Sequence, residues 1–502
     1  MRVPKKTPRK TRKRTPKKKG ARQTAREQVY VRLGTHITLD VRPTGEIAAC
    51  FNGLSLGLGK LSAPTAKRVE ELRAGLSLNA LTDQSSHKEL APLVHRLARL
   101  GLLEYRIGSS SPGKERIIIE PQTPDYWPQT PPLRDADVLV LSRFAYLRRR
   151  ASELVLESPR AGALFTIRDP KVATALAALA TPQQIGRLRR QAGFPGLIVL
   201  ALLVDCHILF KVGARGDQGL RPTEGNENLV LWDFHDLVFH ARSTEGRHAN
   251  PLGGTYPYVG ASEPPPAVRP QWPGEKIDLS KLLPGDTEAP SPAVKLLRER
   301  HSVRSFDDQR PITLVELSRF LDTSARVKSE WSSRLNLGGD DDGPMLAYTA
   351  RPYPSGGSSY ELELYLAVDK CDGLPRGFYH YDARAHALVP IPVRGDELDA
   401  QLRAAQMAMG ADAVPQILIT MAARFGRISW KYSSIAYALV LKDVGVLMQT
   451  LYLMATDMGL GGCAIGSTNI DLFAKMTGLE LHVEGAVGQF ALGRGAEKER
   501  TS

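Results

Sequence analysis

Apolar residues recur every three or four positions in some stretches of this chain and every second position in others, and the changes of period mark out its elements. Residues 36–41 and 46–51 flank Pro43-Thr44-Gly45, which predicts a hairpin. Residues 64–74 start at a helix-compatible proline and end before Gly75. Residues 90–100 have helical spacing and stop at Gly101. Residues 102–107 and 116–120 then read as paired strands. A similar order returns further on. Residues 153–157 and 163–167 suggest a hairpin, 170–180 and 182–191 suggest helices, and the apolar run 196–204 leads into 208–212. This reads as an internal duplication.

From residue 291 the two periods mix as in an α+β domain. Helices are expected at 292–300 and at 313–323, where Leu314, Leu317 and Leu321 share a face. Leu362, Leu364 and Leu366 alternate along a strand at 359–369. Residues 377–382 and 387–391 read as a hairpin, 416–422 as a buried strand and 484–492 as a closing strand. Residues 437–458 form a long helix, apolar almost all round apart from Lys442, Asp443 and Gln449. Such a helix belongs in a core or a subunit interface. Between the halves, residues 226–290 hold Pro264-Pro265-Pro266 and Trp272-Pro273-Gly274, which forbid a long helix or central strand. This segment reads as a strap. Its His235, His240 and His248 lack the spacing and acidic company of metal ligands.

Length and charge refine this division. A chain of 502 residues exceeds one ordinary core. Its 42% apolar and 24% charged residues are those of a globular protein. The net charge of +14 resides almost wholly in residues 1–26, which carry 13 Lys or Arg and no acid. That tail lacks the apolar residues to fold, and reads as a solubilising extension or an arm for nucleic acid. Cys50, Cys206, Cys371 and Cys463 lie far apart, which argues against a zinc site or a disulfide scaffold. No secretory leader follows Met1, and the apolar run 197–204 is too short for a membrane span. A cytoplasmic location fits. The expected organisation is a basic tail (1–26), two winged-helix-like modules (27–132 and 133–225), a strap (226–290) and an α+β domain (291–502). Helices followed by a two-stranded wing usually suggest DNA. Here the recognition-helix candidates are apolar, and 196–204 has no base-reading Arg, Asn or Gln. A peptide clamp, in which an extended peptide adds a strand to a hairpin edge, fits better.

Candidate chemistry lies after residue 299. In Arg300-His301-Ser302-Val303-Arg304-Ser305-Phe306, the residues Arg300, Ser302 and Arg304 fall on one side of an extended chain and suit a phosphate dianion. Arg494, after the last strand, offers a further charge. Pro354-Ser355-Gly356-Gly357 and Gly459-Leu460-Gly461-Gly462 offer bare backbone where a flat ring could approach. Together they suggest bound flavin mononucleotide (FMN).

With Asp443-x-Gly445-x-x-x-Gln449 between them, these motifs make residues 291–502 resemble the nitroreductase-type flavin fold, which implies a homodimer with FMN at its interface. Within it the chain resembles the SagB/ThcOx branch. The further matches are Trp430-Lys431-Tyr432, the stretch from Phe239 to Gly246, Gly253-Gly254-Thr255-Tyr256 and the N-terminal modules. The resemblance implies dehydrogenation of thiazolines or oxazolines to azoles in a ribosomally made precursor peptide, beside a cyclodehydratase. The cofactor would be held by Arg300, His301, Ser302, Arg304, Pro354, Ser355, Gly356, Gly357, Gln449, Gly461, Gly462 and Arg494. Lys431 and Tyr432 would act on the substrate. An amine serves as a base only where burial or nearby positive charge makes its neutral form accessible. Dioxygen or another acceptor would reoxidise the flavin. The resemblance does not account for the tail or the acidic loop Gly339-Asp340-Asp341-Asp342. The competing readings are an NADH- or NADPH-dependent nitro or quinone reductase, and a non-catalytic peptide- or DNA-binding protein.

Overall fold

The computed structural model describes residues 28–496, apart from 36, 43, 52–53, 63–64, 66–68, 70, 82–88, 109–114, 124–125, 213–226, 245–255, 257–258, 272, 283–288 and 337–342. The basic tail, His248, Gly246, Gly253-Gly254-Thr255 and the triplet at 340–342 lie outside the described residues.

The two modules expected on either side of residue 133 share one sheet. Gln28–Leu33 pairs with Leu103–Gly108, which pairs with Glu115–Pro121. Glu115–Pro121 then pairs with Ala163–Ile167 from the second module, matching Ile117 with Ile167 and Ile119 with Phe165. Glu153–Glu157 and the edge strand Tyr146–Arg150 extend the sheet on one side, and the short strand Leu76–Ser77 beside Gln28–Leu33 completes seven strands. A single core joins Leu93, Val94 and Leu97 of the Leu90–Arg99 helix to Leu200, Leu202 and Leu203 of the Leu197–Asp205 helix. The physical reason is the apolarity of both hairpins. The side chains of Ile117, Ile119, Phe165 and Ile167 are buried, and a lone two-stranded wing has no second layer to cover them.

The strap begins with a 3-10 turn, Glu227–Leu231, and a regular helix, Phe234–Ser243, contrary to the expectation of irregular chain. Its prolines all come later. Asp233 caps it by accepting from the His235 amide, and Leu237, His240 and Ala241 are buried on one face. His240 is packed against Trp232, Phe425 and Tyr437, with Nδ1 3.0 Å from the Tyr437 hydroxyl.

The C-terminal half is built on a six-stranded antiparallel sheet. Its order is Ala387–Ile391, Gly377–Asp382, Leu362–Val368, Ile417–Arg424, Glu484–Gly493, Gly461–Ile465. Alternate residues serve two cores, as the strand period requires. Leu364, Leu366, Ile419, Met421, Phe490 and Leu492 face the long helix Ala436–Asp457. Tyr365, Ala367, Leu418, Ala422 and Ala491 face the helices Gly395–Met409 and Ile470–Thr477. The long helix is the one described element with the length and apolarity to cross a membrane, but Ala436, Tyr437, Val440, Val444, Leu447, Leu451 and Ala455 form a buried stripe on the sheet. Its other face shows Lys442, Gly445 and Gln449 to solvent, and Pro292–Glu299 lies against it without a buried residue of its own. A two-stranded ribbon, Ser329–Arg334 with Met345–Ala350, stands apart, the first strand wholly exposed.

Candidate active site

Two clusters form at opposite ends of the long helix. The first lies around Ser302. This residue is extended chain beyond the Pro292–Glu299 helix, and the next residue, Val303, donates its amide to the Gly462 carbonyl. Val303 turns inward, and its neighbours Ser302 and Arg304 turn the other way, as alternation requires. The Ser302 hydroxyl is 2.8 Å from the Tyr452 hydroxyl, which also accepts from the Ala464 amide at 2.8 Å. The Arg300 guanidinium sits 5.1 Å from the centroid of the Tyr452 ring. Beside them is a cleft of about 270 Å³ lined by His301, Val303, Tyr452, Thr456, Gly461 and Gly462, among others. Gly461 and Gly462 also have a packing role. A β-carbon at Gly461 would lie 2.6 Å from Val303, and one at Gly462 would lie 2.4 Å from the Phe490 ring.

The second cluster surrounds Pro354-Ser355-Gly356-Gly357. Ser355 donates to Asp443 Oδ2 at 2.8 Å, and the Gly356 amide donates to the same oxygen at 2.9 Å. The loop is thereby tied to the long helix. Gly357, Ser358 and Tyr360 all have positive φ, at +59°, +55° and +43°. For the two non-glycines this costs on the order of 1–3 kcal/mol each, a cost met mainly at functional loops. Lys431 Nζ donates to the Gly357 carbonyl at 2.9 Å and lies 5.7 Å from the centroid of the Tyr348 ring. A β-carbon on Gly357 would lie 2.3 Å from the Tyr432 hydroxyl and 2.5 Å from Lys431 Nζ. Lys431 is exposed and Tyr432 half-buried in the single chain.

Several predicted residues stand elsewhere. Arg494 is not at the Ser302 cleft: both oxygens of Glu316 accept from its Nη2 at 2.7 Å, and its Nε donates to the Arg310 carbonyl. Its guanidinium is therefore occupied by a carboxylate, which removes it from the expected phosphate set. His301 faces the cleft but is exposed, with Nδ1 2.9 Å from the Glu299 carbonyl. Arg304, Pro354 and Gln449 are exposed, Gln449 on the uncovered face of the long helix. Tyr452, Glu361 and Glu316 were not legible as site residues. Tyr452 was hidden in an apolar run, and the partners of the two glutamates are far away in sequence.

These residues suit FMN at each end. Arg300 has no ion-pair partner among the described residues, and with the Ser302 hydroxyl it makes an anion-binding donor set beside Gly461 and Gly462, which line the cleft but are buried and paired in the sheet. Gly356 and Gly357 carry no β-carbon where a ring edge would come. Nine residues of helix, about 13 Å, separate Asp443 from Tyr452.

Residues 297–494 match the nitroreductase family model, and residues 139–249 match the model of the cyanobactin oxidase ThcOx. A Methanocaldococcus jannaschii protein assigned to the nitroreductases is 30% identical over 172 residues, which are 34% of this chain and 77% of the relative. The trifolitoxin-processing protein TfxB of Rhizobium leguminosarum is 26% identical over 144 residues, but the match covers 28% of this chain and 39% of TfxB. Among solved structures, a chain of the E. coli microcin synthetase McbBCD complex aligns at 17% identity and a TM-score of 0.38, over 57% of this chain and all of that one. With residues 139–249 and 297–494 matched in this way, the chain belongs to the nitroreductase superfamily as a member of the SagB/ThcOx type, and is an oxidoreductase by fold.

Proposed function

We propose that this protein is an FMN-dependent dehydrogenase that converts thiazolines or oxazolines to azoles in a ribosomally made peptide, acting as a homodimer. The observation that carries this reading is the meeting of Lys431, Tyr432 and the glycine loop at Gly357, a loop tied through Asp443 to the helix that also borders the Arg300–Ser302 cleft. The names of ThcOx and TfxB, a cyanobactin oxidase and a toxin-processing protein, support a peptide substrate.

Bound FMN would supply a hydride acceptor. Arg300 and Ser302 would hold its phosphate in the cleft lined by Gly461 and Gly462, and the Ser355–Gly357 loop would meet its ring. Lys431, exposed in the single chain, would be desolvated by the second copy and the bound peptide and would then take the proton from one azoline carbon as the hydride leaves its neighbour, so the ring loses two hydrogens and two electrons. The Tyr432 hydroxyl would orient the substrate beside Lys431. Gln449 and Lys442, exposed on the long helix, would be covered by the second copy. The Tyr146–Arg150 strand, which forms one edge of the N-terminal sheet, would accept an added strand from the precursor. A cyclodehydratase would supply the azoline.

The purified protein should be yellow and should oxidise an azoline peptide. Lys431→Ala should stay yellow with turnover reduced by about 10²- to 10⁴-fold. A yellow Lys431→Ala protein with full turnover removes the proposed base. Rapid bleaching by NADH or NADPH would point instead to a nitro or quinone reductase.

A further inference from the structure

Beneath the glycine loop lie two carboxyl groups that the proposed chemistry does not use. Glu361 is fully buried and Asp443 is 6% exposed. They meet at Ser355, whose hydroxyl is 2.8 Å from Asp443 Oδ2 and 3.4 Å from Glu361 Oε2. A serine hydroxyl has one proton to donate. The shorter distance directs it to Asp443, which also receives the Gly356 amide. Glu361 Oε1 has no hydrogen-bond partner among the described residues. Glu361 Oε2 therefore faces a Ser355 oxygen whose one proton is given to Asp443. Only a carboxylic acid, with a proton of its own, satisfies that position.

The charged neighbours do not supply an alternative. Arg351 is directed to the Leu362 carbonyl at 3.0 Å and lies 3.9 Å from Glu363. Arg427 donates to the Ser359 and Ala347 carbonyls. From the adjacent strand it is the Arg424 amide that reaches Glu361, at its backbone carbonyl. Lys431 Nζ is on the far side of the loop at Gly357. The buried Tyr353 hydroxyl completes the surroundings.

We propose that Glu361 and Asp443 share one proton across Ser355, and that this proton latches the Ser355–Gly357 loop to the long helix. Loss of the proton to solvent leaves two buried carboxylates facing each other, and the loop is pushed off its anchor. Glu361 and Asp443 are thus positioning residues. The effect on cofactor binding rests on the flavin reading, whereas the latch itself does not. Burial pushes the Glu361 carboxyl up to about 7, and the Asp443 charge adds to this. The folded state then holds a proton that the unfolded chain releases near pH 4.5. The stabilisation is complete below that value and is lost as pH rises towards 7.

The test uses the full chain without added cofactor, then with FMN. The Tm of the wild type should fall between pH 5 and 8, whereas Glu361→Gln, which is neutral at every pH, should lack that component. The infrared carbonyl band of a neutral buried acid should be present at pH 5.5, fade through pH 7 and be missing in Glu361→Gln. Asp443→Asn should move the fading to lower pH by removing the opposing charge. FMN affinity, read from flavin fluorescence above the second phosphate ionisation, should weaken about five- to tenfold from pH 7 to 8.5 in the wild type only. An unchanged slope in Glu361→Gln, or no acid band at pH 5.5, overturns the latch. If FMN fails to bind while slope and band follow Glu361, the flavin reading fails and the latch stands. Should Glu361→Gln not fold, the wild-type band and Asp443→Asn still decide.

Discussion

Gly356 and Gly357 are neighbours with opposite tolerances. A β-carbon at Gly356 meets nothing closer than 3.7 Å, so Gly356→Ala should change stability by less than about 1 kcal/mol. Gly357 has a positive φ and the Tyr432 and Lys431 head groups against it. Gly357→Ala should cost about 1–3 kcal/mol in urea unfolding and release Lys431 from the loop. The sequence marked the pair as bare backbone without distinguishing them. The difference arises from Trp430-Lys431-Tyr432, more than 70 residues away, which no local pattern can place. Arg494 carries the same lesson in reverse. A lone arginine after the last strand resembled a phosphate ligand until the fold brought Glu316 to it. Burial opposes ionisation of Glu316, but Arg494 and Thr313 outweigh it and hold its carboxyl below the usual range. Its contribution is present above about pH 4.5 and lost as pH falls through the lowered value. Glu316→Gln should therefore flatten the acid limb of Tm against pH and leave the Glu361 component at higher pH intact.

Elements with a strong period were legible, and weakly patterned ones were not. The long helix and the hairpin 377–391 fall within a residue of their expected places, and the strand Leu362–Val368 lies inside its expected span of 359–369, starting three residues later. The ribbon Ser329–Arg334 was missed because it buries nothing and so carries no alternation. The Phe234–Ser243 helix was missed because its three buried residues, Leu237, His240 and Ala241, lie in a segment judged by its later prolines. On the long helix Tyr452 ties the helix to the Ser302 segment and to the strand Gly461–Ile465. Tyr452→Phe leaves the half-buried Ala464 amide without its acceptor. The expected loss is about 1–2 kcal/mol in denaturant unfolding, with weaker FMN binding as the Ser302 hydroxyl loses its partner.

Across the whole molecule, the two halves meet around Trp232. Its indole donates to the His482 carbonyl at 2.7 Å, and its own carbonyl accepts from Arg143 at 3.0 Å. Phe144, from the N-terminal half, is buried in the C-terminal core, and Arg242 of the strap reaches Glu157 of the N-terminal sheet at 2.9 Å. Trp232→Ala should cost about 3–5 kcal/mol and, by loosening this junction, separate calorimetric unfolding into two transitions. A single sharp transition in that variant would show that the junction is held by other contacts.

The long helix also fixes a phase. Each α-helical residue turns the axis by about 100° and advances it by 1.5 Å. Asp443 at the glycine loop and Tyr452 at the Ser302 strand are separated by nine such steps, which is two and a half turns. A residue inserted between them would swing one contact away from its partner while leaving the helix well formed. Substitutions can retune either cluster, but the count of residues between them works as a gear ratio that the rest of the domain is cut to fit.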